Sequence, residues 1–364
     1  MAYNRIKQIF EAVEARDAVL LNEILESMNG SERASVLTLL FRRERSDDRE
    51  YVCCSQATDR WVSRKRRLRK RYVSSAFPDS KSPLVTAVKN GDLDSVKVLF
   101  KHHLHIGVPF REGLFLSAVN GNTDILRCFI ENKADVDART GNCHCTLLIV
   151  VSKYGHTNAV NVLLQYGANV ALTDKSGRTA LHFAAGSSDN SCEILRCLIE
   201  NGADIDKGRN DNQTPLMIAA QKGHVSVATF LIEHGANVDL QDENGNTALH
   251  HTLYGSDVSC EILSCLTGSG ADVNGVNKVK HTPLMIAAKR GHLNALTLLI
   301  KHGAHDVDLE DSDGYTALHY AVYSSDISCE ILSCLIGIGA DVNARTNNGV
   351  TPLMIAAEEG HLSC

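Results

Sequence analysis

The chain has 364 residues, 44% of them hydrophobic and 5% aromatic, enough apolar surface for a large core packed from aliphatic, Ala-rich helices. Its net charge of −6 is uneven: residues 1–80 carry 16 Lys and Arg against 12 Asp and Glu, leaving −10 on the rest and excluding a nucleic-acid groove there. With no run of 18 apolar residues, no apolar signal core and no prenylation Cys fourth from the end, the sequence predicts a soluble intracellular protein, cytoplasmic or nuclear, with reduced thiols and no membrane contact.

In chain order, residues 1–30 read as a helix pair. Ile6, Ile9, Phe10 and Val13 share one apolar side, and Leu20, Leu21, Ile24, Leu25 and Met28 share the next, with a turn at residues 15–17. Asn29 and Gly30 are the stop signal of the second helix. The pair is expected to be a divergent first repeat or N-terminal cap that turns a polar face to water. Residues 31–81 read as a degenerate, basic, flexible segment. Its run of Arg64, Lys65, Arg66, Arg67, Arg69, Lys70 and Arg71 has the composition of a nuclear-import signal or phosphate-binding patch. Those charges fall all round a helix wheel, so a solvated insertion is the favoured reading. Nuclear import or nucleic-acid binding through the run ranks below it.

From residue 82 the chain repeats itself. The clearest unit is residues 214–246, TPLMIAAQKGHVSVATFLIEHGANVDLQDENGN. Leu216, Ala219 and Ala220 share one side of a short helix, and Val225, Ala228, Leu231 and Ile232 give a second helix its apolar side. Thr214 suits the cap of the first helix and Pro215 its first turn. Gly223 and Gly235 suit helix ends, while Asn237, Asp239, Asp242, Asn244 and Gly245 supply a hairpin-like connection. One such unit cannot bury its own apolar face, so the copies must stack into a common seam. Equivalent openings stand at Thr146, Thr179, Thr214, Thr247, Thr282, Thr316 and Thr351, with weaker copies near Ser82 and Glu112. Residues 82–364 therefore hold eight copies and an incomplete last one.

These openings and the repeat length resemble the ankyrin-repeat family. The resemblance implies an all-α repeat solenoid of helix-turn-helix units with hairpin-like turns, stacked into a curved array. Two designs alternate along it. Copies opening TALH (Thr179, Thr247, Thr316) carry a longer connection between helices than copies opening TPLM (Thr214, Thr282, Thr351). Asp189, Asp257 and Asp326 in the longer connections are expected to cap the second helices. In the last copy, Leu353, Ile355 and Ala356 are expected to lack half their cover.

The repeated Cys and His residues argue for structure over catalysis. Pairs such as Cys192 and Cys197 lie five apart and point about 140° apart on a helix, so they cannot grip one ion, and they are expected to be small buried hydrophobes. Cys143, His144 and Cys145 lack the further ligands of a metal site. The family resemblance implies that His182, His250 and His319 are hydrogen-bonded within the turn and helix network through the Thr hydroxyl. In the TPLM copies Met217, Met285 and Met354 take their place, and that polar link should be absent. No catalytic group, metal or cofactor is expected.

What remains is recognition. The family resemblance implies a concave groove, lined by turn tips and first helices, that binds other proteins. Here the tips vary while the frame repeats: Gln241, Asp242 and Glu243; Lys278, Lys280 and His281; Glu310, Asp311, Asp313 and Tyr315. These are the candidate partner-binding residues of a non-catalytic interaction scaffold. The resemblance also makes Asn274 and Asn343 candidate acceptors for asparagine hydroxylation, with turn geometry the alternative reason for both. Residues 3–185, with ENKADVDART, CTLLIVVSKYGH and TALHFA, further resemble the Fem family. That likeness implies a substrate-receptor subunit of a cullin ubiquitin ligase, reading a C-terminal degron with an acidic pocket. Asn120 stands where that family has Asp, and no cullin-binding box precedes residue 364.

Overall fold

The structure is a computed structural model; it describes residues 2–42, 82–103, 108–141, 143–187, 191–255, 258–323 and 329–359. Among them are twenty helices and no strand, beyond a single bridge between Arg139 and Thr146. The chain is an all-α repeat solenoid, and it divides into two compact units, residues 1–175 and 176–364.

The first unit begins with α1 (Ala2–Ala15) and α2 (Ala18–Glu26), separated at the expected turn, where Asp17 accepts the Leu20 amide and caps α2. The next residues depart from the sequence reading. Asn29 does not simply stop α2; it starts α3 (Gly30–Arg42). Its Oδ1 accepts the Glu32 amide at 2.9 Å while Glu32 reaches back to the Asn29 amide, a reciprocal cap. The first dozen residues of the expected flexible segment are therefore helical, and the basic run 64–71 lies outside the described residues.

Two-helix repeats follow: α4 (Pro83–Asn90) and α5 (Leu93–Lys101), α6 (Val108–Asn120) and α7 (Thr123–Glu131), α8 (Leu147–Tyr154) and α9 (Thr157–Gln165). First helices stack on first helices and second on second. The N-terminal pair joins the same stack, α1 on α4 and α2 on α5, with Lys101 bonded to Glu26 at 2.9 Å. It thus occupies the place of a repeat. Three of the chain's few phenylalanines gather in this unit, Phe100 and Phe110 packing against Phe129 with ring centroids 5.0 and 5.1 Å apart.

The second unit continues the pattern with α10 (Ala180–Ser187) and α11 (Cys192–Glu200), α12 (Pro215–Lys222) and α13 (Val225–Glu233), α14 (Ala248–Tyr254) and α15 (Cys260–Gly268). Then come α16 (Pro283–Lys289) and α17 (Leu293–Lys301), α18 (Ala317–Tyr323) and α19 (Cys329–Gly337), and α20 (Pro352–Glu358). Thr214 and Thr282 accept the amides of Met217 and Met285, each with Pro next in the chain, so the first turn is capped and loses no bond to the proline. Leu181, Leu216, Leu249, Leu284 and Leu318 form the buried seam of the first helices, and Ala219, Ala220, Ala287 and Ala288 let neighbours approach. On α20 the equivalent Leu353 is 76% exposed, whereas Ile355 is buried.

Two expectations about the second helices are corrected. Asp189, Asp257 and Asp326 lie outside the described residues, but α11 and α15 start later, on Ser191 and Ser259, and it is Ser259 Oγ that accepts the Ile262 amide at 3.3 Å. An Asp two residues upstream of the cap is not at the capping position, which corrects the expectation for Asp189 and Asp257. The Cys pairs are also not core residues: Cys192, Cys197, Cys260, Cys265 and Cys334 are only half-buried. Leu195, Leu198, Leu263 and Leu266 take the core-facing positions, and residues five apart cannot both share that face. Cys128, Cys143 and Cys145, which belong to none of those pairs, are the buried ones among the described residues.

Candidate protein-interaction surface

The turn tips are built from short side chains that bond to their own loop. Asp242 Oδ1 accepts the amides of Asn244 and Asn246, both at 2.8 Å. Asp311 Oδ1 does the same for Asp313 and Tyr315, and Asn277 Oδ1 for Val279 and His281. One inward residue thus closes each of these three tips, Asp, Asn and Asp in turn. Consecutive repeats are then joined at the base of the turn. The amides of Asn237, Asp272 and Asp341 donate to the carboxylates of Asp206, Asp239 and Asp308 at 2.9–3.0 Å.

Two sets of histidines tie the repeats in opposite directions. In the TALH copies the His Nδ1 lies 2.9 Å from the Thr hydroxyl, and Nε2–H donates forward to a carbonyl of the next repeat: His182 to Gln213, His250 to His281 and His319 to Val350. The histidine after the inter-helix Gly points backward: His224 bonds Ala185 O and, in the first unit, His156 bonds Val119 O, each at 2.9 Å. In the TPLM copies Met217 and Met285 offer only a sulfur acceptor to the Thr amide at 3.4–3.5 Å.

Burial lowers the pKa of His250 to about 4, and it lowers those of His251, His281, His292 and His319 as well. The neutral imidazole is therefore the working form of His250 and His319 in the forward links. A second buried layer lies beneath the tips. His251 Nε2–H donates to Asp242 Oδ2 at 2.9 Å, and Tyr320 O–H donates to Asp311 Oδ2 at 2.5 Å, with His281 at 3.3 Å from the same oxygen. Burial pushes the Asp311 carboxyl up, but the Tyr320 hydroxyl and the two tip amides outweigh it and leave it below its ordinary value. The His251 and Asp242 side chains are only 5% and 2% exposed, so this acid–base pair is an interior bolt beyond a substrate's reach.

The candidate residues accordingly separate. Gln241, Glu243, Lys278, Lys280, Glu310 and Asp313 are exposed on the tips. Tyr315 and His281 are half-buried, the Tyr315 ring tilted against that of Tyr320 at 5.6 Å and His281 bonded to the Tyr320 hydroxyl. Asp242 and Asp311 leave the displayed set, because both carboxylates turn inward to hold the loop. Sequence reasoning missed this layer, whose signature is an Asp followed nine residues later by His or Tyr. Of the two Asn candidates for modification, Asn343 is exposed while Asn274 Nδ2 donates to Gly303 O at 3.2 Å.

A glycine is required where tips meet. Gly245 has φ +79°, and a Cβ there would come within 2.8 Å of the Lys278 amide nitrogen. Gly245→Ala is expected to cost about 1–3 kcal/mol from backbone strain, with the clash adding to it. Thermal denaturation checks this, and a variant melting with the parent would contradict the tight stacking of tips.

The family profile described as ankyrin repeats (3 copies) matches residues 114–208, 186–274 and 255–346. Similar curated proteins include the putative palmitoyltransferase ZDHHC13 of Danio rerio, 27% identical over 253 residues, covering 68% of this chain and 34% of that protein. The transient receptor potential cation channel subfamily A member 1 of Homo sapiens is 27% identical over 330 residues, 77% of this chain and 29% of the channel. The nuclear factor NF-kappa-B p105 subunit of Gallus gallus is 33% identical over 230 residues, 60% of this chain and 22% of that protein. The chain thus spans about a third or less of the length of these relatives, and their names refer to different activities. Among solved structures, the human ASB11 ankyrin repeat domain superposes with a TM-score of 0.53 at 23% identity, over 63% of this chain and 98% of that domain. Two-helix units stacked through Thr, His and seam Leu, together with a profile match over most of the length, place this chain in the ankyrin-repeat family.

Proposed function

We propose that the chain is a non-catalytic scaffold that binds other proteins through its turn tips and the exposed sides of its first helices, inside the cell. The observation that carries this reading is a division of labour in the tips. Asp242, Asn277 and Asp311 turn inward and fix each loop, while Gln241, Glu243, Lys278, Lys280, Glu310 and Asp313 reach solvent from that fixed frame. Display on a rigid frame lets a partner bind without ordering the loops first. His281 and Tyr315 add a half-buried edge to the same surface.

Proximity labelling with the whole chain tests the reading and reports the compartment as well. A variant carrying Glu243→Lys, Lys278→Glu, Lys280→Glu and Glu310→Lys is expected to lose partners that the parent labels, with an unchanged melting temperature, since exposed charges of this kind contribute about 1 kcal/mol or less to stability. An identical set of labelled proteins for both would contradict it. A cullin lost from the set along with the tip charges would narrow the scaffold to a ligase receptor.

A further inference from the structure

Neighbouring tips of the second unit touch through their backbones. The Glu243 amide donates to Asp211 O at 2.8 Å, Lys278 to Asn244 O at 2.9 Å, Ser312 to Val279 O at 3.2 Å and Asn347 to Asp313 O at 3.0 Å. The tips form one strip whose rungs follow the packing distance of the helices beneath, about 8–10 Å. Exposed charge alternates along the strip: Glu243 is negative, Lys278 and Lys280 positive, Glu310 and Asp313 negative. Opposite charges on adjacent rungs could neutralise one another, yet among the described residues none of these five side chains has an ion-pair partner. Between them Val276, Val279 and Leu309 remain 42%, 50% and 38% exposed. The strip therefore offers unspent charge of fixed order with apolar patches between.

We propose that this strip binds an extended polyproline-II segment of a partner protein, in which charged residues at every third position run base, acid, base. The spacing selects that conformation. A polyproline-II helix has three residues per turn and rises about 3.1 Å per residue, so every third side chain points the same way about 9 Å further on. A β-strand puts third residues on opposite faces, and an α-helix advances only about 4.5 Å in three residues. Such a segment is also extended before it binds, so little ordering entropy opposes docking. Proline rings at the intervening positions would rest on Val276, Val279 and Leu309. The inference deepens the scaffold reading and rests on it.

Two peptides test it against the whole chain by fluorescence anisotropy at low salt: Lys-Pro-Pro-Glu-Pro-Pro-Lys and Lys-Pro-Pro-Lys-Pro-Pro-Lys. The parent is expected to bind the alternating peptide about tenfold tighter or more, although its acidic array would favour the all-lysine one on net charge alone. The variant K278E/K280E, whose strip is negative throughout, is expected to reverse that order while melting like the parent. A third peptide with the same Lys, Glu and Lys at every second position should bind less tightly than the first. Equal or tighter binding of the all-lysine peptide to the parent would overturn the proposal, as would an unreversed order in the variant, indifference to spacing, or no binding of any peptide. If all peptides fail but the four-charge variant of the tips still loses labelled protein partners, the scaffold reading stands and only this inference falls.

Discussion

Leu216→Ala is expected to destabilise the chain by about 2–5 kcal/mol, the usual cost of emptying a fully packed Leu site. Leu216 is 1% exposed on α12, and α12 is covered on one side by α10 and on the other by α14. The cavity therefore opens into two interfaces at once. Repeat arrays owe their stability to such nearest-neighbour contacts, so the damage should spread beyond the substituted helix. Hydrogen exchange read by mass spectrometry would show lost protection in α10 and α14 as well as α12. The same change at Leu353, 76% exposed on α20, should alter stability little, because no comparable cover is lost. A Leu216→Ala protein that melted with the parent would contradict the account of the seam.

Mild acid is expected to have an effect of similar size. His250 has a folded pKa of about 4 against an ordinary value of 6.5, because burial disfavours the imidazolium. Between those pH values the unfolded chain binds a proton that the folded chain does not, so stability falls as pH falls. The contribution is complete above about 6.5 and reaches a loss of about 3 kcal/mol by pH 4, at 1.36 kcal/mol per pKa unit. The geometry gives the same sign. Nδ1 of His250 accepts from the Thr247 amide, and a proton there would set donor against donor. His251, His281, His292 and His319 shift in the same direction, so the whole chain should lose more than one histidine's share. Urea midpoints measured from pH 7.5 to 4.5 check this. They should fall steadily in the parent and less steeply in His250→Asn, whose midpoint at pH 7.5 should already be lower. A flat or rising profile in the parent would contradict the buried neutral links.

The fold was legible because the repeat carries its own punctuation. Thr214 with Pro215 opens a helix, Gly223 turns it and Leu216 faces the seam, and each of these roles depends on nearby residues alone. The tips were legible only in part. Sequence places Asp242 and Glu243 side by side, but which of the two turns inward depends on an acceptor geometry that the closed loop creates. The partner that betrays the inward one, His251, lies a helical turn into the next element. Asn29 shows the same limit at the N-terminus. An Asn suits the end of one helix and the cap of the next equally well, and only the bond from the Glu32 amide decides. The half-buried cysteines show it again, since a five-residue spacing says that two side chains diverge without saying which element covers either.

The most direct measurement concerns residues 214–246 in isolation. All of these observations rest on each repeat borrowing its neighbours' apolar faces and backbone carbonyls. A synthetic peptide of that stretch is expected to give the far-ultraviolet circular dichroism of a largely unfolded chain, with no cooperative melt, since two helices of eight and nine residues cannot hold themselves. A helical spectrum with a sharp thermal transition from that single repeat would contradict the account.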